Sequence, residues 1–183
     1  MKKKYFFIYL LFSIISFFTY AQEPYIEKDS NKIFRHNNKN VCFVKSEDRL
    51  PLNKSHRNSK YKQTNMESCQ VEDLELWNCE IDFRYIPLPS KNNIDMLLVP
   101  MDCGDFPYRL YLITIKDHQI RSELYVEGEW YEPGYNEDMI EKTHFSISKD
   151  FIITVTTEYD NKLTIKHYYL NDNGYIEEKN NNN

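Results

Sequence analysis

Apolar and polar residues alternate most clearly from Trp77 to Tyr85. Trp77, Cys79, Ile81, Phe83 and Tyr85 fall on one side, and Asn78, Glu80, Asp82 and Arg84 on the other. A period of two over nine residues predicts a strand with one buried face. Pro87 and Pro89 predict its end, because proline donates nothing to a ladder. Residues 41–44 predict a short strand before it, and 94–99 another after it, stopped by Pro100. The segment 108–116 carries Tyr, Leu and Ile on both faces, the pattern of a central strand. From there the chain predicts a meander. Lys116, Asp117, His118 and Gln119 turn it into 120–127, and Lys149 and Asp150 separate 145–148 from 151–158. Asp160 and Asn161 lead into 162–170, and Asn171, Asp172, Asn173 and Gly174 turn it once more before Tyr175 and Ile176. Asn, Asp and Gly accept the left-handed backbone angles of tight hairpins, which gives these turns a physical basis.

No stretch of ten or more residues shows a helical apolar period, and no alanine occurs after residue 21. The best helix former is therefore missing. The expected fold is mainly β, a single antiparallel meander of at least six strands that closes as a barrel or packs as two sheets. A propeller is disfavoured, since blades of about 40 residues would number only three or four.

The N-terminus follows a different pattern. Lys2, Lys3 and Lys4 precede an apolar run from Tyr5 to Phe18, interrupted by Ser13 and Ser16, and Thr19 and Ala21 stand at the −3 and −1 positions before Gln22. This is the layout of a secretory signal peptide over residues 1–21. The run is short for a membrane span, which takes about 20 apolar residues, and no second long apolar run follows. The expected organisation is a signal peptide at 1–21, a flexible polar arm at 22–40, a β-rich domain at 41–179 and a polar tail at 180–183. The mature chain would then be periplasmic or extracellular, without a membrane span.

Charge narrows the function classes. The 183 residues carry 23 basic and 28 acidic side chains, a net of −5. Removing Lys2, Lys3 and Lys4 with the leader leaves 20 basic against 28 acidic, a net of −8. Nucleic-acid binding draws on positive charge that displaces counterions, so it is not expected. The stretch 45–62 is locally basic, with six Lys or Arg against two acids. Such a run is ordinarily a solvated loop.

Cys42, Cys69, Cys79 and Cys103 agree with export, because an even number in an exported chain suggests two disulfides. Three connectivities exist. Shorter loops close more easily, which favours Cys42 with Cys69 and Cys79 with Cys103. The spacings contain no CxxC pair, so zinc is not expected.

The search for an enzyme finds no HExxH, GxSxG, P-loop or GxGxxG pattern. His36 and His56 lie in polar stretches, His118 lies in a turn, and His144 and His167 fall where cross-strand pairing is expected. Asp102 and Asp105 flank Cys103 and Gly104 and would be the acid–base candidates of a small hydrolase or lyase. A disulfide-bonded, Asp-rich turn explains them equally well. Asn171 to Gly174 lacks the further ligands of a calcium loop. No cofactor or metal is expected.

The unusual surface candidate is the stretch 127–138. It sets Trp130, Tyr131 and Tyr135 among Glu127, Glu129, Glu132, Glu137 and Asp138. Aromatic rings beside hydrogen-bonding acids can stack on sugars or anchor a partner protein. The competing expectation is that Trp130 and Tyr131 fold back over an open end of the core.

Residues 85–178 resemble small secreted proteins of unknown function common in Bacteroidota. The residues carrying the likeness are Tyr85-Ile86-Pro87-Leu88-Pro89, Asp105-Phe106-Pro107-Tyr108, the run from Tyr111 to Asp117, the run from Leu124 to Tyr131, Phe145 to Asp150 and the hairpin from Tyr168 to Gly174. The resemblance implies an exported β-rich fold and supplies no catalytic residue. The expected function is a non-catalytic exported module that binds a protein or glycan. The alternative is a secreted polysaccharide hydrolase or lyase that uses carboxylates.

Overall fold

Regular alternation becomes strand from Phe83 onward. The structure, a computed structural model, describes residues 42–77, 79–80, 82–103, 108–131 and 140–179. Its strands are β1 (Lys62–Thr64), β2 (Phe83–Lys91), β3 (Ile94–Pro100), β4 (Arg109–Lys116), β5 (Gln119–Trp130), β6 (Glu141–Ile147), β7 (Ile152–Tyr159), β8 (Lys162–Leu170) and β9 (Ile176–Glu178). Two short 3-10 turns, Met66–Ser68 and Leu74–Trp77, lie between β1 and β2.

All nine strands form one antiparallel sheet in sequence order. The mainly β meander expected from the sequence is therefore present. Its ladder runs open from β1 to β9, so it is neither a closed barrel nor two separate sheets. The turns expected at Asp117–His118 and Asp160–Asn161 are present, with positive φ at all four residues, and Asn92 and Asn93, also at positive φ, form a further one between β2 and β3.

The sheet curls so that its last strands return towards its first. Lys91 Nζ donates to the Leu170 carbonyl at 2.6 Å, and Thr114 Oγ1 donates to the Gly174 carbonyl at 2.6 Å. Ile176 N–H donates to Ser122 Oγ at 3.0 Å. Inside the curl lies a core of Ile86, Leu88, Met96, Leu98, Leu110, Leu112, Val126, Phe145, Ile147, Ile153, Val155 and Leu170. The opposite face of β2, β3 and β4 carries a second core: Phe83, Tyr85, Leu97, Val99, Ile113 and Ile115, covered by Phe43, Cys69 and Leu74. Successive β3 residues from Met96 to Val99 thus serve alternate cores, which explains the apolar run that follows Asp95. Each large side chain buried this way contributes about 1.5–3 kcal/mol.

The segment 42–77 is the cover of that second core. Cys42 is bonded to Cys69 and Cys79 to Cys103, the pairing that shorter loops favour, with Cα separations of 5.2 and 5.5 Å. These disulfides and the β-rich fold are compatible with an exported protein. No helix among the described residues is long and apolar enough to cross a membrane. The signal peptide and arm expected at 1–40, and the tail at 180–183, lie outside the described residues.

Three expectations about strands need correction. Residues 42–44 are irregular, because Phe43 packs its ring against Phe83 and Tyr85 as part of the cover. The strand expected from Trp77 begins only at Phe83. Asp73 has a positive φ of 59° and starts the turn that ends at Trp77, and Cys79 is bonded to Cys103, three residues past the end of β3. Pro87 and Pro89 do not end the strand but lie within β2. β1 pairs with β2 only as far as Tyr85, so both proline nitrogens, which share one parity, can point to an edge where no partner needs a donor.

β5 changes partner along its length. Residues up to Gly128 pair with β4, and Gly128, Glu129 and Trp130 pair with β6. Gly128 sits at the crossover, where a Cβ would lie 2.5 Å from the Tyr108 carbonyl oxygen, so only glycine permits this approach. Away from these pairs β5 and β6 diverge. The segment that runs from Leu52 to His56 closes the fork, with Leu52 and Ile147 exchanging backbone hydrogen bonds of 2.8 and 2.7 Å.

Candidate functional site

Two polar clusters grow from the end of β5, three residues apart. The first centres on Glu127, which is only 3% exposed. Its carboxylate accepts from the His56 backbone N–H at 2.9 and 3.1 Å, from Ser55 Oγ at 2.5 Å and from the Tyr108 hydroxyl. His56 Nδ1 lies 3.3 Å from Oε2, and its ring stacks on Phe145 at 5.5 Å. Burial alone would raise the pKa of Glu127, but the hydrogen bonds from His56, Ser55 and Tyr108 outweigh it and hold it at about 2. Burial, reinforced by the bond to Glu127, pushes the Tyr108 hydroxyl up. At the rim, Arg57 forms a bidentate pair with Glu129 at 2.7 and 3.0 Å and lies over the Tyr108 ring at 4.9 Å.

Serine, histidine and glutamate in one cluster invite comparison with a nucleophile–base pair. Catalysis of that kind needs the hydroxyl within reach of the imidazole base. Here Ser55 donates to Glu127, and His56 Nε2 is buried with no hydrogen-bond partner among the described residues. The cluster latches the fork-closing segment to β5. His56 lies in a loop, as the sequence indicates, but it is buried, and Glu127, expected on the surface, is buried with it.

The second cluster is open. Arg109 and Tyr111 of β4, Tyr125 and Trp130 of β5 and Glu141 of β6 line a pocket of about 210 Å³ on the outer face of the sheet. Register explains the assembly. Tyr111 stands opposite Tyr125, and Trp130 opposite Glu141, so each pair shares a face. Arg109 and Tyr111 continue the row of Ile113 and Ile115 past the point where the cover ends at Trp77. Trp77 contacts Tyr111 at 5.4 Å between ring centroids, and Tyr111 contacts Tyr125 at 5.6 Å. Burial pushes the Tyr125 hydroxyl up to about 12, so it remains protonated at neutral pH. The pocket therefore offers a row of rings, a guanidinium that only donates and a carboxylate that only accepts.

Of the binding residues expected from sequence, Trp130 lines this pocket, and Tyr131 follows it with 43% exposure. Tyr135 lies outside the described residues. Among the acid–base candidates, Asp102 is held by Arg84 in a bidentate ion pair at 3.1 and 2.5 Å. The bond to Asp102 also raises the pKa of Arg84. Asp105 lies outside the described residues. Of the strand histidines, His167 pairs across strands with Thr154 at 3.1 Å, while His144 is exposed. No group of three or more His, Cys, Asp or Glu that could hold a metal occurs among the described residues.

Sequence reasoning missed Arg109, Tyr111, Tyr125 and Glu141. Tyrosines on the outer parity of two neighbouring strands were the available signal. The molecule is thus an open antiparallel β-roll with an aromatic, charge-rimmed pocket. Comparison of the chain with protein-family models, with curated proteins and with solved structures gave no match.

Proposed function

We propose that the protein is an exported, non-catalytic binding module, akin to the small secreted Bacteroidota proteins its sequence resembles, and that it engages a protein or glycan through the pocket around Trp130. The observation that carries this reading is the pocket itself, three aromatic rings flanked by Arg109 and Glu141 on strands β4, β5 and β6. Binding asks only for an aromatic platform and a polar rim. The leader-like N-terminus and the two disulfides support export. The hydrolase alternative has less support, because Asp102 is committed to Arg84 and the Ser55–His56–Glu127 cluster lacks a nucleophile–base bond.

The test compares Trp130→Ala with the parent protein for attachment to the producing cells, to their surface polysaccharide and to co-purifying protein. The proposal expects attachment to fall at least tenfold while the circular dichroism spectrum is unchanged. Equal attachment by the two proteins contradicts it. So does turnover of a polysaccharide that Asp105→Asn abolishes.

A further inference from the structure

We infer that the free edge of β8 from Lys162 to Lys166 takes an extended acidic segment of a partner protein, added to the sheet as a further strand. None of its residues lines the pocket around Trp130.

The register leaves this edge open. β7 pairs with β8 along its whole length, but on the other side β9 reaches only Leu170, Tyr169 and Tyr168. Lys179 N–H then donates to the His167 carbonyl at 2.7 Å, and among the described residues nothing pairs further along the edge. In an antiparallel ladder alternate residues turn their N–H and C=O groups to the same side. Leu163 and Ile165 share the parity of His167, so their main-chain groups face the gap. They are also the most exposed aliphatic residues in the strands, at 62% and 52%. The β2 edge is blunted by Pro87 and Pro89, which have no N–H to offer, whereas β8 holds no proline. Unpaired donors and acceptors beside exposed apolar side chains are a template for strand addition.

Charge names the partner. Residues 162–166 read Lys, Leu, Thr, Ile, Lys, so the two cations flank Thr164 on one face and the two aliphatics lie on the other. Lys166 has one exposed ion pair, to Glu178 at 3.5 Å, and among the described residues no acid stands within ion-pair distance of Lys162. An ammonium has three donors, so Glu178 leaves Lys166 able to take a second carboxylate. The aliphatic face carries Glu158 across from Leu163. A strand of pattern acid, apolar, any, apolar, acid sets a carboxylate opposite each lysine and an aliphatic opposite Ile165 and Leu163, and it keeps its own charge off the face of Glu158.

Other occupants fit less well. In a second copy of this chain, the register that matches Leu163 with Ile165 sets each Lys162 opposite a Lys166, two like-charge pairs. After Lys179 the sequence continues with asparagine at 180–183, which is depleted from strands and offers neither an apolar nor an acidic side chain.

The test maps the amides of the 15N-labelled mature protein by chemical shift and hydrogen exchange, with and without the capped peptide Ser-Glu-Val-Thr-Val-Glu-Ser. The controls are the same peptide with Lys in place of both Glu, and with both valines N-methylated. The acidic peptide should give saturable shifts centred on residues 163–166 and should slow exchange at the Leu163 and Ile165 amides. The lysine peptide should bind roughly tenfold more weakly, two facing charge pairs having turned from attraction to repulsion. The N-methylated peptide lacks the donors that face β8 and should not bind. A variant carrying Lys162→Glu and Lys166→Glu, checked for folding by circular dichroism, should prefer the lysine peptide.

An absence of shifts, shifts centred elsewhere, or equal binding of the acidic and lysine peptides overturns the proposal. So does protection of the Leu163 and Ile165 amides in the free protein. Protection that grows with protein concentration would give the edge to a second copy, and protection independent of concentration would give it to the chain itself.

Discussion

Glu127 and Trp130 stand three residues apart on β5, and each gathers tyrosine, a charged partner and a neighbouring strand. They end in opposite states. Around Glu127 the donors converge from Ser55, His56 and Tyr108, and the carboxylate is 3% exposed. Around Trp130 the rings and charges of Arg109, Tyr111, Tyr125 and Glu141 line a pocket of about 210 Å³. The difference arises from the cover. Among the described residues, the segment 42–77 closes the β5–β6 fork and the second core and meets the pocket wall only through the contact of Trp77 with Tyr111. A carboxylate among saturating donors serves stability. Beyond Trp77 the same kinds of residue line the pocket through which we propose that the protein binds its partner.

The comparison can be broken most forcefully by removing what holds the cover. Replacing both Cys42 and Cys69 by Ser, whose bond closes a 27-residue separation, should cost about 3.5 kcal/mol of stability by the loop-entropy relation. Urea denaturation at pH 7 measures this. The core under Phe43 should loosen, while the curled core of β5 to β8 keeps its secondary structure in circular dichroism. A loss below about 1 kcal/mol would mean that the cover is held by packing alone.

Glu127→Gln attacks the saturated cluster directly. It leaves donors from Ser55, His56 and Tyr108 sharing a neutral amide and should cost about 3 kcal/mol. The same group sets a pH dependence whose sign is fixed. Its folded pKa of about 2 lies below the ordinary 4.5, so its contribution is present above pH 4.5 and is lost as pH falls from 4.5 towards 2. That contribution is about 3 kcal/mol. Stability measured across this window should fall in the parent protein and change much less in Glu127→Gln. Parallel curves for the two proteins would assign the acid sensitivity to other carboxylates.

At the open cluster the effects on stability should be small. Trp130→Ala removes a half-buried ring from a pocket wall and should cost about 1 kcal/mol. Tyr131→Ser, at a position 43% exposed, should stay within about 0.5 kcal/mol. Both are read from the same urea curves. A loss of several kcal/mol in Trp130→Ala would recast Trp130 as a core residue closing the end of the roll.

Much of the fold was legible because its signals are local. Asp117, Asp160 and Asn161 mark hairpins through their own backbone preferences, and the apolar residues on both faces of 108–116 identify a strand between two cores, with Leu110 and Leu112 in one and Ile113 and Ile115 in the other. What lay beyond local pattern was misread. Pro87 and Pro89 look like strand ends unless it is known that β1 stops at Tyr85. Trp77 to Ile81 alternate as a strand would, yet Trp77 ends a turn and Cys79 is bonded to Cys103, and neither joins the ladder. Trp130 was visible as a rare aromatic among acids. Its partners Tyr111 and Tyr125 were not, since their adjacency depends on the β4–β5 register. The burial of His56 beside Glu127 depends on a separation of 71 residues that no periodicity records.

The most direct test of the division of labour along β5 is an amide and indole chemical-shift map of the 15N-labelled mature protein, recorded with and without cellotriose, maltotriose and laminaritriose in turn. The account predicts that at least one of these shifts the Trp130 indole N–H and the amides of Arg109, Tyr111, Tyr125 and Glu141, while Ser55, His56 and Glu127 stay in place. Shifts centred on His56 and Glu127, or shifts that leave Trp130 unmoved, would contradict it.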